Sequence, residues 1–413
     1  MENRYDKYKD SGIAWIGEIP EHWEVRRLKH LGKNYNGLTY SPNDICGSED
    51  GILVLRSSNI KDNKLCFDDN VYVKKEIPQK LIVNKGDILI CSRNGSAELI
   101  GKAAFIELQM VATFGAFMMI FKGTSNIYHK YLFYIVTSCI SQYKWLFTTA
   151  TINQLTSSML GEIFAPFINN NLEQKSIATY LDQKCGEIDE LITLQEEMIT
   201  KLQSYKQSVI TEAVTKGLDK NVPLKDSGIE WIGKIPEHWK VVKIKYLAKI
   251  KSGDSISSNE IIQEGIYEVY GGNGLMGYCN KKNVDGFNII IGRVGALCGN
   301  VRLISESKYI TDNALILNCF DNALYPYMYI MLKAANLNNL NTSNAQPLIT
   351  GSKVLNVSLP IPPLSEQQSI TDYLDQKCSE IDELISIKQQ KIEKLKDYKK
   401  SLIFECVTGK RKV

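Results

Sequence analysis

The side chains with most chemical character lie in short polar runs beside glycine: Arg56-Ser57-Ser58-Asn59, Arg93-Asn94-Gly95-Ser96, Tyr270-Gly271-Gly272-Asn273, Arg293 and Asn300. Arginine and asparagine present paired hydrogen-bonding groups that match guanine and adenine edges in a DNA major groove, and serine can serve either base. Glycine lets a backbone approach a planar partner closely. Lys61, Lys64, Lys102, Lys281, Lys282 and Lys308 suit phosphate oxygens. Together these runs predict a nucleic-acid-reading surface. The plainer alternative for any single member is a turn cap or a solvated loop residue.

Catalytic spacings are missing. The sequence has no GxxxxGK[ST] loop, no HExxH, no GxSxG elbow and no spaced Cys/His set, and its four histidines are His22, His30, His129 and His238. Ile361-Pro362-Pro363-Leu364 lacks the polar and aromatic ends of the loop that adenine-methylating enzymes carry. YGGNGLMG at 270–277 lacks GxGxxG spacing. No catalytic residue, metal ligand or cofactor site is therefore expected in this chain. The ten cysteines form no CxxC pair and read as reduced, buried thiols, Cys185 and Cys378 included. No run of 18 apolar residues appears and the first residues are polar, which predicts a cytoplasmic chain with no membrane partner. A formal charge of +3 permits a nucleic-acid partner without demanding one.

The elements that carry these runs come in duplicate. KDSGIAWIGEIPEHWEVRRLKHL (9–31) and KDSGIEWIGKIPEHWKVVKIKYL (225–247) agree at 16 of 23 positions, and 176–217 agrees with 369–410 at 24 of 42. The first pair is offset by 225 − 9 = 216 residues and the second by 369 − 176 = 193, so a like frame encloses two fillings that differ by 23 residues. Within the fillings, GILVLRSSNI (51–60), GDILICSRNG (86–95), FGAFMMIF (114–121) and FNIIIGRVGA (287–296) read as strands bounded by turns. HKYLFYIVTSCISQYKWL (129–146) and YPYMYIMLKAANL (325–337) have helical spacing. Matching the strands pairs Arg93 with Arg293, Gly101-Lys102 with Gly299-Asn300, and Thr113 with Thr311, as if both fillings were copies of one mixed α/β fold.

Each filling is followed by a proline-free stretch, Glu173 to about Ile210 and Glu366 to about Ile403, that predicts a long helix. Steps of four and three link Ile177, Leu181, Lys184, Ile188, Leu191, Gln195, Met198, Leu202, Tyr205 and Val209. The second copy gives Ile370, Leu374, Lys377, Ile381, Leu384, Lys388, Lys391, Leu395, Tyr398 and Leu402. An adjoining row of Cys185, Ile192 and Ile199, with Cys378, Ile385 and Ile392, widens the stripe and predicts a further docking surface. Two helices packed on each other are expected, with ordinary core helices as the alternative. If they run antiparallel, a direct repeat becomes an approximate two-fold axis, and about 38 residues give a rod of roughly 57 Å.

Two fillings, each opened by Trp-Ile-Gly-x-Ile-Pro-Glu-His-Trp and closed by Asn-Leu-Glu-Gln-Lys-Ser-Ile or Leu-Ser-Glu-Gln-Gln-Ser-Ile before a long helix, resemble the specificity subunit of type I restriction-modification systems. The resemblance implies an α/β (α+β) architecture of two target-recognition domains joined by an antiparallel coiled coil, over 1–168, 169–217, 218–360 and 361–413. It implies a non-catalytic subunit whose domains each read half of a split site on double-stranded DNA. Its partners would be two modification subunits using S-adenosylmethionine and restriction subunits using ATP and Mg. The alternatives are an orphan specificity subunit that guides methylation only, and a duplicated coiled-coil scaffold for non-DNA ligands. Phe167-Ile168-Asn169-Asn170-Asn171 replaces the proline-rich helix entry in the first copy, where a looser bend is expected.

Overall fold

A computed structural model describes residues 4–147, 153–295, 297–341 and 347–413. Ala296, the end of the run FNIIIGRVGA, lies outside them. The chain divides into two compact units, Met1–Leu194 with Lys391–Val413, and Gln195–Gln390.

In the first unit the strands are β1 (Gly32–Asn36), β2 (Ile52–Leu55), β3 (Val71–Val73), β4 (Ile88–Cys91), β5 (Ala103–Phe105), β6 (Ala112–Phe114) and β7 (Met118–Gly123). One antiparallel sheet has the order β5-β4-β7-β1, and a second joins β6 to β2 in parallel and β2 to β3 antiparallel. Between them lie Val54, Leu55, Leu89, Phe114 and Ile120, all fully buried, as runs of β-branched and aromatic residues in short strands dictate. Helix α1 (His129–Gln142) packs on the other face of the larger sheet with Ile88, Ile90, Met119 and Phe121.

The second unit repeats this order. Its strands are β8 (Ala248–Ser252), β9 (Tyr267–Gly271), β10 (Gly274–Cys279), β11 (Asn288–Gly292), β12 (Val301–Ile304), β13 (Tyr309–Ile310) and β14 (Ala314–Cys319). The larger sheet runs β12-β11-β14-β8, and β9 pairs with β13 in parallel and with β10 antiparallel. Gly37 and Gly253 are counterparts: a Cβ on either would lie 2.1 and 2.3 Å from the carbonyl oxygens of Gly115 and Ile310. Only glycine lets β1 or β8 leave its sheet that close to the parallel pair. The two fillings are thus diverged copies of one fold.

The long helices are α2 (Asn171–Lys216) and α4 (Leu364–Val407), with α3 (Tyr325–Ala334) the counterpart of α1. Both long helices start on the same latch. The Trp23 indole N–H donates to Glu173 at 3.1 Å and His22 Nε2 lies 3.0 Å from the same carboxylate. Trp239 and His238 meet Glu366 at 3.0 and 2.7 Å. A carboxylate in a first turn also faces the positive end of the helix dipole. The next residues, Gln174 and Gln367, are buried and donate back to the carbonyls of Ile168 and Pro362. Asn170 accepts from the amides of Leu172 and Glu173, so the proline-free entry is a side-chain cap rather than the expected loose bend.

Both helices also end on this motif. Gly409, at φ +72°, passes so near Pro20 and Trp23 that a Cβ would sit 2.3 and 3.2 Å away, and Gly217, at φ +74°, touches Trp239 and Pro236. Each unit therefore holds the start of one long helix and the end of the other, which makes their packing antiparallel within the unit. In the first, Asp189 meets Lys399 at 2.6 Å and Tyr180 OH accepts from Arg411 at 3.4 Å. In the second, Asp382 meets Lys206 at 2.6 Å.

The seam follows Ile188, Ile192, Gln195, Ile199, Leu202, Lys206 and Val209, with Ile381, Ile385, Lys388, Ile392, Leu395, Lys399 and Leu402 as counterparts, all buried or half-buried. This corrects the expected phase. Leu191 and Leu384 are 44% and 46% exposed, and Tyr205 and Tyr398 are exposed too. Positions 188, 195, 202 and 209 lie on the seam, but the second member of each repeat lies one residue later than the spacing predicts. Lysines 206 and 399 hid that phase: they enter the seam because each reaches a carboxylate on the facing helix.

Candidate nucleic-acid interface

Five residues from two of the polar runs converge in the first unit, Ser58 among them. Arg56, Ser57, Arg93 and Asn94 line a concavity of about 790 Å³ together with Tyr40 and Phe117. The Asn94 amide donates to Ser57 Oγ at 3.3 Å. Arg56 is paired with Asp69 at 2.7 Å, and its buried Nε has no hydrogen-bond partner among the described residues. Arg93 is exposed, with its guanidinium carbon 5.6 Å from the centre of the Phe117 ring. The surface thus offers planar donors and aromatic faces in one hollow.

The other members of these runs do different work. Asn59 is fully buried: its Oδ1 accepts from the Arg56 amide and its Nδ2 donates to the carbonyls of Cys66 and Asp69, which leaves nothing for a base. The Ser96 amide donates to Asn94 Oδ1. Lys102 Nζ is held by the Ile60 carbonyl at 3.1 Å, whereas Lys61 is exposed on a hairpin with Lys64.

In the second unit the lysines have internal partners. Lys281 meets Glu260 at 2.6 Å, Lys282 meets Asp285, and Lys308 sits between Glu268 at 2.8 Å and Glu306 at 2.9 Å with a side chain only 14% exposed. The hydrogen bond from Lys281 pulls the Glu260 carboxyl down to about 2, and Glu268 pushes the Lys308 ammonium up. A phosphate at any of them must displace a carboxylate. Tyr270 is half-buried, Asn273 is exposed on the β9–β10 turn with its carbonyl taking Arg302 Nη2 at 2.9 Å, and Asn300 is exposed. Arg293 Nη1 donates to Ser252 Oγ at 3.2 Å, while its buried Nε has no partner among the described residues.

The expected pairing of Arg93 with Arg293 is corrected by one residue. Cys91 opposes Met118 as Gly292 opposes Ala314, and the carbonyls of Ser92 and Arg293 accept from Leu155 and Ile349 respectively. Arg293 therefore corresponds to Ser92, and Arg93 to Val294. Thr311 likewise corresponds to Gly115, not Thr113, because the residues before them, Phe114 and Ile310, pair with Leu55 of β2 and Tyr270 of β9, to whose carbonyls the amides of Gly115 and Thr311 donate. Lys102 and Asn300 do correspond, through the amides of Cys91 and Gly292 that donate to them. Between these points one loop is three residues longer, which a match anchored on arginine absorbed in the wrong place.

Two turn residues escaped the sequence reading. Phe117 and Asn313 occupy the same position in tight turns closed by Met118 N–H to Gly115 O and Ala314 N–H to Thr311 O. The signals available were Gly115-Ala116 and Asp312-Asn313, turn-formers just ahead of an apolar strand.

Among the described residues no cluster of three or more His, Cys, Asp or Glu could hold a metal ion. Burial pushes the Cys185 thiol up to about 11 and raises Cys378 as well, the opposite of an activated thiol. Among them no helix is long and apolar enough to cross a membrane.

A family model described as type I restriction modification DNA specificity domain matches residues 20–203 and 236–397. The chain belongs to that family. The type I specificity family is also where its relatives lie: it is 30% identical to a putative type I restriction enzyme MjaX specificity subunit of Methanocaldococcus jannaschii, over 96% of each chain. It is 22% identical to the type I restriction enzyme EcoKI specificity subunit of Escherichia coli, covering 87% of this chain and 83% of that one. A chain solved in work on complex assembly and conformational transition of the type I R-M system superposes with a TM-score of 0.70 at 16% identity, over 94% of this chain and 98% of that one, and shares the fold. Specificity subunits are non-catalytic parts of their enzyme complexes, and this member is read in the same way.

Proposed function

We propose that this chain is the DNA-reading subunit of a type I restriction-modification complex, each unit reading one half of a split, asymmetric site. Residues 1–168 and 218–360 form the reading domains, and 169–217 and 361–413 form the helices that space them. The observation that carries this reading is one strand order used twice, on one repeated latch, with different loop chemistry in each copy. A repeated frame suits a target read in two parts, and unlike loops suit unlike half-sites. The DNA-contacting set is Arg56, Ser57, Arg93 and Asn94 in the first unit and Asn273, Arg293 and Asn300 in the second, with Lys61 on phosphate.

Two modification subunits dock on the helices. The first unit exposes Leu191, Leu194 and Tyr398, and the second exposes their counterparts Leu384, Ile387 and Tyr205, which gives two like apolar surfaces for two like partners. Those partners bring S-adenosylmethionine, and restriction subunits bring ATP and Mg. Residues 32–168 hold 13 basic and 11 acidic side chains, and 248–360 hold 9 and 8, so much of the phosphate contact comes from the partners.

Exchanging residues 32–168 for the filling of another family member tests the proposal. Methylation mapping of the assembled complex then shows one half of the motif changed and the other kept. A change in both halves, or in neither, overturns it.

A further inference from the structure

The turn that holds Phe117 is anchored from beneath. Its carbonyl accepts hydrogen bonds from the Ser92 amide at 2.9 Å, the Arg93 amide at 3.1 Å and the Ser92 hydroxyl at 2.9 Å. Its ring nevertheless stays 61% exposed, beside the Arg93 guanidinium. An aromatic ring placed outward on so fixed a backbone adds nothing to the core. The Asn313 carbonyl takes the Arg293 amide at 3.0 Å in the second unit, and Gly272 runs so close that a Cβ there would be 2.6 Å from that oxygen. The Asn313 side chain is exposed and has no hydrogen bond among the described residues.

One rigid position thus carries two different recognition chemistries. We infer that the third residue of this turn sets specificity in each unit: Phe117 packs against the methyl group of a thymine in one half-site, and Asn313 pairs with an adenine in the other. A ring edge meets a methyl group without competing for hydrogen bonds, and a carboxamide matches the adenine donor and acceptor in the major groove. The backbone clamp means neither side chain must be ordered on binding beyond its own rotamer. Arg93 and Arg293, each on the strand end that supplies the clamp, lie next to the turn residue.

This assignment rests on the DNA reading proposed above. The full chain, co-expressed with the modification subunit of its own system, is given a plasmid library of randomised DNA and adenine methylation is read by sequencing. Asn313→Ala lowers discrimination at one base pair of one half-motif by roughly 10- to 100-fold and leaves the other half intact. Phe117→Ala relaxes a thymine position in the other half by roughly fourfold, the worth of one buried methyl group. Should either variant melt lower than the unmodified chain, Asn313→Asp or Phe117→Leu replaces it and the same readout decides. If the unmodified complex methylates with no sequence preference, the DNA reading itself fails. If it writes a split motif and the folded variants write the same one, or lose affinity for all sequences alike, only the assignment of these two residues is overturned.

Discussion

The two units agree where they hold the helices and part company where they face outward. Their tryptophan-to-glutamate bonds differ by 0.1 Å, 3.1 against 3.0 Å. Their outer faces share strand order and little else: arginines and an aromatic ring around an open hollow in the first, lysines clamped by carboxylates in the second. The inner packing differs as well. Among the described residues, fifteen buried ones form one cluster between the sheets of the first unit, whereas the second has six there and three more on the other face of its small sheet, so its outer layer rests more on polar contacts such as Lys308 with Glu268. The lesson is that this fold fixes its frame by a few repeated contacts and leaves the outer layer free to use either apolar packing or ion pairs.

The frame half of the comparison breaks if its latches are unequal. Trp23→Ala and Trp239→Ala each remove a fully buried indole, and each is expected to cost about 3–5 kcal/mol with a similar fall in melting temperature. A fall in only one of them, measured by thermal unfolding, means one latch is decorative. On the outer layer, Arg93→Ala and Arg293→Ala are each expected to cost about 1–3 kcal/mol of discrimination at one base pair, read by competition binding of the assembled complex. Arg293 also braces Ser252, so its removal lowers the melting temperature and that of Arg93 does not; equal behaviour would erase the distinction drawn between the two loops.

Finer differences are expected in the seam. The side chains of Lys399 and Asp189 are 17% and 26% exposed, against 24% and 60% for Lys206 and Asp382. Asp189→Ala is therefore expected to cost about 1–2 kcal/mol and Asp382→Ala less than about 1 kcal/mol, by chemical denaturation. The smallest effect concerns acid. Ser41 with Asp44 and Ser257 with Glu260 form like capping boxes, and both carboxyls titrate below their ordinary values, Asp44 chiefly through the Ser41 amide and Glu260 chiefly through Lys281. A carboxyl whose pKa is lower in the folded state stabilises above its unfolded pKa and loses that contribution as pH falls toward the folded one. The protection of the Ser257 amide against hydrogen exchange, taken relative to the free-peptide rate at the same pH, should therefore fall as pH drops from about 4.5 toward 2, and Glu260→Gln should remove that dependence.

The frame was legible because identity needs no physics: IPEHW twice, and Leu-x-Glu-Gln or its relative before each helix, marked the residues that form the latches. The strands followed from their β-branched runs. The seam was misread by one residue because lysine looks like a surface residue until its carboxylate is in view, and Asp189 and Asp382 lie far from Lys399 and Lys206 in sequence. The arginine pairing slipped because a loop of different length follows each strand, and in a strand a one-residue shift turns a side chain to the opposite face. Asn59 resembles a base contact in the sequence because a buried cap and an exposed reader use the same side chain. Phe117 was missed because it was counted with the apolar strand it precedes.

The bond from Trp23 to Glu173 joins residues that flank the segment 32–168 on its two sides. A lineage carrying such a gene can then alter what it recognises by swapping one interior segment through recombination, with the latch residues inherited unchanged on either side. Such an exchange keeps the contacts that begin and end the long helices, so natural selection acts on a new address and on how well it packs against Trp23.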